Sequence, residues 1–135
     1  MKKHLSILLI LAIAFGAICS LTACDPTTGL DPVSFEDIAN AKLYDTYNVT
    51  STTITYDSEG QGTSDSSDPD TMNKAAVKAA IAASKLTIEA SKIVYSKTYG
   101  DVYANKDYSK IVVYIYYRNS DDKLVSKSIT TYTKK

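Results

Sequence analysis

The stretch "KIVVYIYYR" (residues 110–118) is apolar or aromatic at every position between its charged ends. A short run of this kind, rich in β-branched and aromatic residues, reads as a strand buried on both faces, and so as a central strand of a sheet. "NSDD" (119–122) supplies a four-residue turn, and "KLVSKSITTYT" (123–133) then reads as the returning strand of a hairpin. Upstream, "YNVTSTTITY" (47–56) is almost solid β-branched and aromatic and predicts another strand. Its faces do not alternate cleanly, so neither face is assigned to a core.

Helices precede these strands. Ser34 followed by Asp37 forms a capping-box pattern, and Phe35, Ile38, Ala39 and Leu43 share a helical face, predicting a short helix near 35–44. "TMNKAAVKAAIAASK" (71–85) is the strongest helical segment, with Asp70 or Thr71 as its cap. Beyond it two signals compete. Ala76, Ala79, Ala83, Leu86, Ala90 and Ile93 keep helical spacing, and Lys78, Lys85 and Lys92 repeat every seven residues. Yet "LTIEASKIVYSKTY" (86–99) has the composition of a strand. The reading adopted is helix to about residue 84, then strand. "GDVYANKD" (100–107) reads as a turn region, and "DSEGQGTSDSSDPD" (57–70), without an apolar residue, as a mobile acidic loop. The expected architecture is α+β: one small domain over 34–135, with an antiparallel sheet and two helices.

The chain opens "MKKHLSILLILAIAFGAICSLTAC". Lys2 and Lys3 precede an apolar run from Leu5 to Ile18, which falls short of the roughly 20 residues of a membrane span. A positive start, a short apolar core and small residues before a cut site make a secretory signal peptide. Leu21, Thr22, Ala23 and Cys24 resemble the lipobox of bacterial lipoproteins. The resemblance implies a cleaved signal helix over 1–23, a lipidated Cys24 carrying fatty acyl chains, and a mature domain outside the cytoplasm. Two or more acyl chains anchor stably without spanning the bilayer. Residues 24–33, with "DPTTGLDPV" at 25–33, then read as a lipidated cysteine and tether.

From Cys24 onward the chain carries 13 basic and 15 acidic side chains, a net charge of −2, which gives no electrostatic case for nucleic acid. His4 is the chain's one histidine and Cys19 the first of its two cysteines, and both leave with the signal. Ser-His and Cys-His catalysis are thereby excluded from the mature chain, as are zinc sites built from His and Cys. The expectation is a non-catalytic domain without metal or cofactor. Asp57, Glu59, Asp65, Asp68 and Asp70 can gather round Ca²⁺, but their spacing is not that of an EF-hand, and a solvated loop is the reading adopted. Ser120–Lys123 and Thr71–Lys74 match S-x-x-K or its threonine form, without the S-D-N and K-T-G partners.

Eleven tyrosines are the one enrichment. Tyr95, Tyr99, Tyr103, Tyr114 and Tyr116 are candidates for an aromatic binding surface, against the alternative of cross-strand packing. The expected role is binding or scaffolding in the bacterial envelope, with the membrane reached through the lipid and a protein or small molecule as partner. A lipocalin-like ligand-binding domain is the alternative. "YNVTSTTITYDSEG" resembles the opening strand and turn of such a barrel, but the usual Gly-x-Trp is missing from a chain without tryptophan.

Overall fold

The computed structural model describes residues 27–135. The signal segment and the lipobox with Cys24 lie outside the described residues. The described chain is a small single domain, an antiparallel sheet of seven strands with two helices. In chain order the elements are β1 (Asp31–Val33), α1 (Phe35–Asn40), β2 (Thr46–Tyr56), β3 (Gly62–Ser66), β4 (Asp70–Asn73), α2 (Lys74–Ser91), β5 (Tyr99–Ala104), β6 (Lys110–Arg118) and β7 (Leu124–Lys134). The sheet runs β1-β5-β6-β7-β2-β3, and β4 shares the outer side of β2 with β3.

β6 occupies the sheet centre as its composition requires, with β5 on one side and β7 on the other. Residues 111–115 are all buried. Side chains alternate across a strand. Ile111 and Val113 join Tyr47, Val49, Val102, Ala104 and Tyr132 in a core closed by Val77 and Ile81 of α2 and Ile38 of α1. The intervening residues, Val112, Tyr114 and Tyr116, occupy the other face, which neither helix covers.

The β6–β7 turn is built by Asn119, whose Oδ1 accepts from the N–H groups of Asp121 and Lys123, both at 3.0 Å. Asp122 sits in the left-handed region at φ 62°. The capping box forms as read: the Ser34 hydroxyl accepts from Asp37 N–H, and the Asp37 carboxylate accepts from Ser34 N–H. The helix ends at Asn40 rather than near residue 44.

Four expectations are corrected. The long helix starts at Lys74 with Asn73 as its cap, not Asp70 or Thr71, and it continues to Ser91 through the segment expected as strand. Its buried stripe is Val77, Ile81 and Ile88, while Ala79, Ala83, Leu86, Ala90 and Ile93 are exposed. Packing outweighs local β propensity here: Ile88 stands directly over Gly100. The hydroxyls of Ser84 and Thr87 donate to the carbonyls of Ala80 and Ala83, each at 3.0 Å, which accommodates them inside the helix. Second, residues 100–104 of the expected turn region belong to β5, which begins at Tyr99. Third, the acidic segment contains β3, paired with β2 from Thr52 to Tyr56. An exposed edge strand is held by backbone bonds and needs no apolar face. Fourth, the end of the expected tether forms β1, paired with β5 over residues 102–104.

Candidate functional site

Register decides which tyrosines meet. Across β5 and β6, Tyr99 lies opposite Tyr116, Asp101 opposite Tyr114 and Tyr103 opposite Val112. These alternate positions share the helix-free face. Tyr99 and Tyr116 stack at 4.7 Å between ring centroids, Tyr116 and Tyr114 stack at 5.6 Å, and Tyr103 meets Tyr114 edge-on at 5.9 Å. Cations flank the row: the Arg118 guanidinium is 5.9 Å from the Tyr99 ring centre, and Lys127 Nζ is 6.0 Å from that of Tyr114. Each such aromatic or cation–π contact is worth about 0.5–1.5 kcal/mol beyond area burial. Val112 is fully buried on a face that no helix covers, so the row acts as a second, shallow core.

Four of the five tyrosines singled out from sequence are therefore brought together. Tyr95 is not among them. It follows α2 and meets Tyr117 edge-on at 6.2 Å. Burial raises the Tyr117 phenol pKa above its ordinary value.

A second tyrosine cluster went unread in the sequence. Tyr44 donates to Asp107 at 2.9 Å, and Tyr47 donates to the Tyr108 carbonyl at 2.7 Å while accepting from Tyr44 N–H at 3.1 Å. Bonds from Ser109, then from Tyr44, lower the Asp107 pKa. Lys134 Nζ lies 4.4 Å from the Tyr44 ring centre. This cluster ties the start of β2 to the β5–β6 loop, at a residue, Tyr108, held at φ 59°. Only contacts across more than 60 residues reveal it.

The acidic candidates disperse. The Asp57 carboxylate builds the β2–β3 turn by accepting from Glu59 and Gln61 N–H, Asp65 pairs across from Thr53, and Asp70 accepts from Thr71 N–H. Among the described residues no three His, Cys, Asp or Glu side chains converge as metal ligands. Neither S-x-x-K match forms a serine–lysine pair: Lys123 donates to the Ser58 carbonyl and Lys74 pairs with Asp45. No helix among the described residues is long and apolar enough to cross a membrane. No protein-family model, curated protein or solved structure matches the chain.

Proposed function

We propose that this chain is a small bacterial envelope lipoprotein, anchored through Cys24, whose domain is a non-catalytic module that docks a protein partner on its helix-free tyrosine face. The observation that carries the docking reading is the Tyr99–Tyr116–Tyr114–Tyr103 row with Arg118 and Lys127 beside it. Tyrosine and arginine are the residue types enriched at protein interfaces. Tyr116 stacks with rings on two neighbours, which leaves ring rims rather than free ring faces to a ligand. That arrangement favours a polar–aromatic protein contact over flat stacking on a sugar. The lipocalin-like alternative needs a closed barrel round an apolar lumen. An open strand path, with α2 packed on one side, supports surface docking instead.

Two measurements test the reading. Cells fed a tagged fatty acid should label the chain and not its Cys24→Ser variant; label on the variant would remove the anchor. A photo-crosslinking residue at position 103 or 116, used in living cells, should give one discrete protein adduct that the same residue at Asp121 does not give. Equal adducts from all three positions, or none from 103 and 116, would overturn the docking face.

A further inference from the structure

Helix α2 carries two apolar stripes. One packs on the sheet. The other points away from it, and its C-terminal end leads to Leu86, Ile93 and Val94, which are 72%, 88% and 72% exposed. The alanines along this stripe need no partner, because alanine is the best helix former. The three large aliphatic side chains do call for one: together with Tyr99 they are the exposed large hydrophobic residues of the described chain.

We infer that this outer face of α2 is a second membrane contact, lying on the lipid surface beside the anchor and turning the tyrosine face outward. The inference rests on the lipid-anchor reading. Chain length supplies the first argument. Ile88 over Gly100 places the C-terminal half of α2 at β5, the strand on which β1 pairs, so patch and tether share one side of the domain. Three residue steps lead from Cys24 to Thr27 and reach about 10 Å when extended. Residues 27–30 then form a turn, with Leu30 N–H donating to the Thr27 carbonyl at 2.9 Å, which adds less than about 7 Å before β1 begins at Asp31. With α2 flat on the bilayer, a helix radius of about 5 Å and a packing distance of about 10 Å put the sheet roughly 15 Å above the surface. The tether spans that height with little slack.

Size and charge narrow the occupant. The helical stripe from Ala76 to Ala90 is about 21 Å long and roughly 10 Å wide, and with Ile93 and Val94 in the turn beyond it the patch is on the order of 250 Å². That is far below the ~800 Å² per partner of a stable interface, so a second copy is the poorer fit. The lysines along the flank are already engaged: Lys85 pairs with Glu36, Lys92 with Glu89, and Lys78 donates to the Ala39 carbonyl at 3.1 Å. The contact is therefore apolar, insensitive to salt and to anionic lipid.

The test uses the lipidated chain in phosphatidylcholine vesicles containing brominated lipid, with a fluorescent amino acid at position 86 and, as control, at 121. Its lipidation is verified by mass. Quenching at 86 should exceed that at 121 several-fold, stay unchanged from 50 to 500 mM salt, and fall to the control level in the Ile93→Glu variant. A substitution at so exposed a site leaves the fold intact. Equal quenching at 86 and 121, or cross-linking of two copies through α2, would overturn the inference. A chain found without lipid would remove the anchor reading alone. The same measurement, with the Cys24 thiol of the chain from Cys24 onward coupled to a maleimide lipid, would still decide whether α2 docks.

Discussion

Gly100→Ala probes the contact that holds the C-terminal half of α2 on the sheet. A Cβ at this position would collide with Ile88 Cδ1 and lie 2.8 Å from the Tyr114 carbonyl oxygen. Overpacking of this kind costs about 1–3 kcal/mol. The φ at Gly100 is one that alanine adopts, so reduced freedom of the unfolded chain returns about 0.4–1 kcal/mol. The expected net loss lies between nil and about 2.5 kcal/mol. Ile88→Val removes the colliding Cδ1 and alone costs about 0.5–1.5 kcal/mol. In the double variant the side-chain collision is gone and the backbone one stays. Its loss should therefore fall short of the summed single losses by at least about 0.5 kcal/mol, without returning to wild type. Urea unfolding followed by circular dichroism, with an unchanged slope, measures each corner of the cycle. Additive losses within about 0.3 kcal/mol, or a Gly100→Ala variant clearly more stable than wild type, would refute the packing of residues 86–91 as a helix over β5.

Tyr47→Phe leaves the Tyr44 N–H and the Tyr108 carbonyl without their shared hydroxyl and should cost about 1–3 kcal/mol by urea unfolding. Asp122→Gly relieves a left-handed backbone and should hold or raise stability, whereas Asp122→Val should lower it by about 1 kcal/mol or more. Burial pushes the Tyr132 phenol up to about 12. The unfolded chain releases that proton near pH 10, so this contribution, on the order of 2 kcal/mol, is complete below pH 10 and is lost as the pH rises toward 12. Unfolding midpoints measured from pH 9 to 12 should fall less steeply for Tyr132→Phe than for wild type. Tyr116→Ala breaks two ring stacks and should cost about 1–3 kcal/mol, while Tyr99→Phe keeps the Tyr99–Tyr116 stack and should change stability by less than about 0.5 kcal/mol.

The elements legible in the sequence are those whose signal is local. Ile111 to Tyr117 have nowhere to go but a sheet centre, and Ser34 with Asp37 writes a helix start in four residues. The elements that escaped are fixed by distant partners. Thr87, Ile88, Ile93 and Val94 argue for strand on propensity, yet Ile88 follows Val77 and Ile81 into the core at helical spacing. Gly100 and Asp101 look like a turn, but the glycine marks the place where Ile88 needs room. Residues 62–66 contain nothing apolar, so no pattern announces them, and the neighbouring backbone of β2 alone makes them a strand. The same limit applies to the tyrosines. Placing the strand at 86–99 joins Tyr95 to Tyr99, whereas starting it at Tyr99 leaves Tyr95 with α2 and fixes which rings share a face.

The helix-free face is core and surface at once, and its exposure gradient separates the two roles. Val112 is fully covered and Tyr114 is 7% exposed, while Tyr99 at the end of the row is 41% exposed. Tyr114 can contribute to a partner only by holding its neighbours in place. Tyr99 stands furthest out, where its ring edge meets solvent or a ligand. Deleting a whole ring mixes loss of packing with loss of contact. Removing one hydroxyl from the outermost ring leaves the stack standing, so a docking defect in Tyr99→Phe at unchanged stability would assign the loss to the surface role. That separation follows from the register of β5 on β6, which puts the rings in one row and gives each a different depth.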